Sequence, residues 1–127
     1  MSKEYQDVMD FITEVRGVTL PTEFNKLHYK TRDDRMLYMY EELTEFVDAA
    51  NKYQELDAMI DLVYFAFGTM AEMGVNASQF SEAWSRVHKA NMAKKAGKKE
   101  GRNTNGVDAA KPEDWKEPTF EDIFNET

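Results

Sequence analysis

Three carboxylates fall within six residues at EELTEF, where Glu41, Glu42 and Glu45 stand one, three and four positions apart. If the stretch is helical their charges crowd, and each like-charge pair at neighbour spacing costs roughly a few tenths of a kcal/mol. Two readings account for that cost: the face meets water, or a divalent cation sits among the oxygens. Glu42 and Glu45 project about 60° apart on a helical wheel, mostly away from the apolar side. This segment alone leaves both readings open.

A second acidic pair lies in DAMIDLVYFAFGTM. Asp57 and Asp61 are four apart and share a helical face. Asp61 is embedded in apolar sequence, with Met59 and Ile60 before it and Leu62 to Phe67 after it. Aspartate is a poor mid-helix residue, and a buried carboxylate is costly unless it is paired or bound to a metal. An Arg or Lys partner for Asp61 is the structural alternative. Tyr64 and Gly68 continue the same face, an aromatic wall beside a side-chain gap with room for a ligand.

A third group follows the apolar stripe of Phe80, Trp84 and Val87, whose next positions are Asn91 and Lys94. Polar groups on a buried stripe call for a buried or ligand-bound partner. Asn91 suits a phosphate, a sugar hydroxyl or a carboxylate, and Lys94 neutralises phosphate as a point charge. The alternative is a frayed helix end where Lys94 reaches solvent. Glu42, Glu45, Asp57 and Asp61 together are hard oxygen ligands, suited to Mg²⁺, with Mn²⁺ as a substitute, rather than to zinc. Such a cation keeps positions for substrate phosphates and assists attack of water on a phosphate.

The elements that must position these groups read as helices. Val8, Phe11, Ile12 and Val15 place a first helix over about 4–16, stopped at Gly17. A second runs over about 32–51 with a stripe of Met36, Tyr40, Leu43, Val47 and Ala50. A break near 52–54 leads to a third over about 56–73, closed by Gly74. Asn76 followed by Gln79 resembles a capping box opening a fourth helix, which reaches about Lys95. No segment alternates with a period of two, so no sheet is expected. Short breaks favour an antiparallel four-helix-bundle-like core, all-α, over residues 1–96. Residues 97–127 form a Lys-, Gly- and Asn-rich loop and a tail, whose TFEDIF docks as a short helix or turn.

Composition narrows the class. At 127 residues without cysteine the chain is one domain that needs no disulfide. His28 and His88 stand alone, against a zinc site. No long apolar run or signal-like N-terminus is present, so a soluble, cytoplasmic protein without a membrane partner is expected. The net charge is −8, yet residues 86–102 carry seven basic side chains against Glu100 alone, about +6. An acidic body with one basic segment is not built to bind nucleic acid across a face. It suits a small anion held beside bound cations.

EELTEF followed by DAMIDLVYFAFGTMAEMG resembles the all-α nucleoside triphosphate pyrophosphohydrolase superfamily, which includes MazG-like enzymes and phosphoribosyl-ATP pyrophosphohydrolases. The family pattern EExxE matches as Glu41, Glu42 and Glu45. In the following ExxD, Asp61 takes the aspartate place, but Ala58 stands where the glutamate belongs. Asp57 is the substitute, as in a DxxxD variant of short, often phage-encoded members. VHKANMAKK is similar to the segment in which an Asn and a Lys reach the nucleotide, here Asn91 and Lys94. The likeness spans about 5–95, and PEDWKEP is weakly similar to a Pro/Trp-containing end. Phe11-Ile12 departs from the family's Phe-His pair.

The resemblance implies hydrolysis between the α- and β-phosphates of a nucleoside triphosphate, giving a monophosphate and pyrophosphate. Glu42, Glu45 and Asp61 would be the main Mg²⁺ ligands, with Asp57 completing the set. Glu41 or Glu42 would orient water as a general base. Lys94, with Lys95, would stabilise phosphate charge, and Asn91 would contact the substrate; Tyr64 is a substrate contact on the strength of its face alone. A homodimer or homotetramer is expected, and a phage-encoded member would act inside a bacterial host. Two competing readings are a non-catalytic helical adaptor using 86–102 on RNA or an acidic partner, and a metal-buffering bundle. The second lacks the ExxH motifs of di-iron bundles.

Overall fold

The computed structural model describes residues 3–97 and 108–125. Four α-helices dominate: α1 (Lys3–Asp10), α2 (Tyr29–Asp48), α3 (Lys52–Glu72) and α4 (Ala77–Met92). The all-α class expected from the sequence is what forms. One small difference is an antiparallel pair, β1 (Lys95–Gly97) with β2 (Asp108–Ala110), in the register Lys95 opposite Ala110. Three residues per strand are too few for the alternation that reveals strands in a sequence. The chain divides into two compact units, Met1–Ala77 and Ser78–Thr127, so the composition change at 96/97 lies inside the second.

In the first unit, α1 runs into a wider π-helical turn over Phe11–Val15, closed by Arg16 N–H to the Phe11 carbonyl at 3.1 Å. Tyr5, Val8 and Ile12 form its buried stripe, whereas Phe11 and Val15 are exposed. The Tyr5 hydroxyl donates to the Val75 carbonyl at 2.6 Å, tying α1 to the end of α3, and burial pushes its pKa upward. Gly74 is required where it stands. Its φ is +90°, and a Cβ there would lie 2.0 Å from the Glu23 carbonyl oxygen, where the 23–25 segment crosses.

The α2–α3 hairpin carries the acidic groups. α2 begins at Tyr29, three residues earlier than the periodicity indicates, because the His28 ring accepts the Lys30 N–H at its N-cap. It ends at Asp48, and Asn51 caps α3 by accepting from the Tyr53 and Gln54 N–H groups. The break therefore lies at 49–51, and residues 52–54, expected as loop, are the first turn of α3. The Gln54 side chain also accepts from Ala50 N at 2.8 Å, closing the hairpin.

Two expected core stripes are not buried. On α2, Met36, Tyr40, Leu43 and Val47 are all exposed, Val47 at 78%. On α4, Phe80 is buried, but Trp84 is 61% exposed and Val87 is exposed as well. Periodicity finds the apolar side of a helix and is silent about whether the same chain covers it. The residue that α2 does bury is Arg35, 6% exposed. Among the described residues, no single helix is long and apolar enough to cross a membrane.

In the second unit the tail is latched to α4. The Trp115 indole N–H donates to the Ala90 carbonyl at 2.6 Å. Arg86 grips Asp122 through both terminal nitrogens at 2.7 and 2.8 Å and also donates to the Thr119 carbonyl at 2.9 Å. TFEDIF forms a 3₁₀ turn, Glu121–Phe124, as expected.

Candidate functional site

The end of α2 and the start of α3 enclose a cavity of about 380 Å³. Glu42, Glu45 and Asp48 line it from α2, and Asp57, Ala58 and Asp61 from α3, with Ala49 and Gln54 near the hairpin. The helices bring these groups together because each acidic pair repeats at three or four residues, so each helix turns one acidic edge inward. Ala58 is 3% exposed. The position where the family pattern has glutamate is thus part of the cavity lining, and Asp57 beside it lines the same space. All four expected metal ligands, Glu42, Glu45, Asp57 and Asp61, border one cavity.

Glu41 does not. It is exposed and absent from the lining, because one residue along a helix is a turn of about 100° about the axis. Of the two residues expected to orient a water, Glu41 or Glu42, only Glu42 borders this cavity. Asp48 and Gln54 are additions. Asp48 follows Glu45 by three and could have been found by extending the helical spacing; Gln54 carried no sequence signal.

No basic side chain lines the cavity, and none of its four expected ligands makes an ion pair among the described residues. Burial makes the Glu42 carboxyl hard to ionise, and Glu45, Asp61 and Asp57 add to that. Together they push its pKa up to about 7. Burial, then Asp57 and Glu45, also raise that of Asp61. Glu42 Oε2 is buried without a hydrogen-bond partner. A bond between the Glu42 and Glu45 carboxyls forms only while one of them holds a proton, which is why Glu45 raises Glu42. Among the described residues Asp61 has no Arg or Lys ion-pair partner, and the buried Arg35 guanidinium pairs with Glu72.

This donor set fits a small, hard divalent cation: four carboxylates, no competing base, and one buried oxygen without a partner. Among the described residues no three acidic or imidazole side chains are gathered as a finished metal site.

Tyr64 lines a different cavity of about 170 Å³, with Phe11, Tyr38, Phe65 and Arg35. Its ring meets Phe11 edge-on at 5.6 Å. The gap at Gly68, read from sequence as room for a ligand, is filled from within. A Cβ on Gly68 would lie 2.6 Å from Arg35 Nη2. Arg35 donates through Nε to the Thr69 hydroxyl at 3.0 Å and through Nη2 to the Phe65 carbonyl at 2.9 Å. Its Nη1 lies 3.2 Å from Glu72.

The remaining expected residues belong to the second unit. Asn91 is exposed and so needs no buried partner, contrary to the stripe argument. Lys94 is half-buried, with its ammonium 5.4 Å from the centre of the Trp115 ring and no ion-pair partner among the described residues. Lys111 approaches the same ring at 4.8 Å. Lys95 opens β1, and nothing further is described of its side chain. Of the basic segment, residues 98–102 lie outside the described residues, and Arg86 is committed to Glu82 and Asp122. That commitment removes one cation from the adaptor reading.

A family model described as phosphoribosyl-ATP pyrophosphohydrolase matches residues 6–91. That span runs from α1 through nearly all of α4 and contains every carboxylate of the cavity. No curated protein matches the chain.

Proposed function

The chain belongs to the phosphoribosyl-ATP pyrophosphohydrolase family, and from that premise we propose that it is a Mg²⁺-dependent nucleoside triphosphate pyrophosphohydrolase. It would cleave a ribo- or deoxyribonucleoside triphosphate to the monophosphate and pyrophosphate. The observation that carries the reading is the cavity walled by Glu42, Glu45, Asp57 and Asp61, with no basic side chain in its lining among the described residues. Such a cavity is poorly suited to any neutral or anionic ligand until a cation offsets its charge.

These four residues would hold the metal. When bound, Mg²⁺ neutralises phosphate charge and makes a coordinated water more acidic. Glu42, which lines the cavity and has one buried oxygen without a hydrogen-bond partner, is the group to take the proton from the attacking water. The water oxygen bonds to phosphorus, the bridging P–O bond of the α–β anhydride breaks, and the electron pair leaves with the pyrophosphate or monophosphate oxygen. Lys94, with Lys95, is assigned to phosphate charge and Asn91 to substrate on the family likeness. The Lys94 ammonium, held against an aromatic face and without a carboxylate partner among the described residues, supports its part.

A second copy of the chain is proposed as the partner, in a dimer or tetramer. Support comes from the exposed apolar row Met36, Tyr40, Leu43 and Val47 on α2. The chain is read as acting in the cytoplasm, without membrane or nucleic-acid partners. A nucleotide-pool substrate is preferred to phosphoribosyl-ATP because the Lys-rich extension and short core are similar to those of phage-type members.

The test is to incubate the protein with each NTP and dNTP and with phosphoribosyl-ATP, with and without Mg²⁺, and to resolve products by chromatography. Metal-dependent release of monophosphate and pyrophosphate supports the reading. Absence of turnover for every nucleotide, in a protein that is folded, overturns it.

A further inference from the structure

The carboxylate cavity exists only if α2 and α3 hold one register. They run antiparallel: Arg35 meets Phe65, Thr69 and Glu72, whereas Glu42 and Glu45, further along α2, share a cavity with Asp61 and Asp57, earlier on α3. At the acidic end the 49–51 turn, closed by the Ala50 N–H to Gln54 bond, joins the two helices, while four like charges push them apart there. The apolar row of α2 is exposed and gives no second tie. The ring contact of Tyr38 with Phe65, at 5.5 Å, is a contact that tolerates sliding.

Arg35 is different in kind. Its planar fork has three partners on α3, a hydroxyl, a main-chain carbonyl and a carboxylate, at 3.0, 2.9 and 3.2 Å. It is buried, and α3 is left bare at Gly68 to admit it. A buried guanidinium with fixed donor directions loses its bonds if the helices slide by one residue, about 1.5 Å. Leaving such a charge unpaired is strongly unfavourable. Seven residues, about two turns, separate Arg35 from Glu42, so the lock and the cavity lie on the same side of α2.

We propose that Arg35 is the positioning residue of the carboxylate cavity: seated over Gly68, hydrogen-bonded to Phe65 and Thr69 and ion-paired with Glu72, it fixes the register that sets Glu42 and Glu45 opposite Asp57 and Asp61. The proposal rests on the metal-binding reading given above. It makes Arg35 a determinant of cation affinity although it touches neither cation nor substrate.

The test measures Mn²⁺ binding by electron paramagnetic resonance on the wild type and on R35M, R35K, T69V and G68A, with helicity and melting recorded for each. Val75→Ala, a buried change away from the α2–α3 lock, is the control for general destabilisation. R35M and G68A are expected to weaken Mn²⁺ binding about tenfold or more while helical content is kept. T69V, which removes one acceptor, and R35K, which keeps the charge without the fork, fall between these and the wild type. V75A lowers the melting temperature and leaves Mn²⁺ affinity within twofold. If R35M does not fold, T69V and R35K decide. Wild-type affinity in the folded Arg35 and Thr69 variants, or an equal loss in V75A, overturns the proposal while the metal reading stands. No Mn²⁺ binding by the wild type overturns the metal reading and the proposal with it.

Discussion

Glu42 on α2 and Asp61 on α3 border the same cavity, and burial makes both carboxyls harder to ionise than usual. Neither has a basic partner among the described residues, so the cost of ionisation is left to the fold or to a cation. The pH dependence follows from the sign of the shift. The folded-state pKa of Glu42, about 7, lies above its ordinary 4.5, so the folded state binds the proton more tightly than the unfolded chain does. Without divalent cation, stability falls as pH rises from about 4.5 to about 7 and is level above that. Thermal melts in a chelator, from pH 5 to 8, check this. Added Mg²⁺ flattens the decline, because the bound cation favours the ionised form.

Glu42→Gln separates the two sides of that balance. In chelator at pH 8 it raises the melting temperature, since an unpaired charge is removed, and the gain disappears near pH 5, where Glu42 is protonated in the wild type. The same change lowers pyrophosphohydrolase turnover by about 10²-fold or more, because the group that accepts the water proton is gone. Melting and product chromatography on one preparation read both effects.

Asp61→Asn is predicted to leave the fold intact, because Asp61 makes no ion pair within the described chain. Metal affinity drops about tenfold or more, and activity recovers in part at high Mg²⁺. Calorimetric titration with Mn²⁺, paired with a melt, distinguishes this from a structural aspartate, whose loss would lower the melting temperature with or without metal.

The carboxylates were legible in the sequence because helical spacing alone puts Glu42 with Glu45 and Asp57 with Asp61. That the two pairs share a cavity followed from their common hard-oxygen chemistry on successive helices, and the family pattern strengthened it. Arg35 was invisible: an arginine in a charged stretch, RDDR, reads as solvated surface, and only the third dimension places it over Gly68. Gly68 in turn looked like space for a ligand, since a sequence shows a missing side chain but not what fills the gap. The rows Met36–Val47 and Trp84–Val87 looked like core for a related reason. Their periodicity is real, while the surface that would cover them is not in this chain's described residues.

For α2 that uncovered row gives a direct prediction. Val47→Asp and Tyr40→Glu place charge on positions that are 78% and 65% exposed in the single chain. Neither should cost the isolated fold more than about 0.5 kcal/mol. In solution both are expected to shift the protein to monomer, measured by light scattering coupled to size exclusion. An unchanged oligomer with these substitutions would rule out the α2 row as its interface.

The tail supplies the last prediction. Trp115 donates its indole N–H to the Ala90 carbonyl, in the last turns of α4, and spreads its ring beneath the Lys94 and Lys111 ammonium groups. The bond brings a second donor to a carbonyl near a helix end that also accepts the Ala93 N–H at 3.2 Å. Trp115→Phe keeps an aromatic face for the lysines and loses the donor, a change of about 1 kcal/mol. Trp115→Ala loses both and should cost about 2 kcal/mol or more. Amide exchange distinguishes local from global effects: the Ala93 and Lys94 N–H groups, bonded to Lys89, Ala90 and Asn91 carbonyls, exchange faster in both variants. The α2–α3 amides stay at wild-type rates, because the latch and those helices belong to separate compact units. Equal acceleration across both units would show instead that Trp115 supports the whole fold.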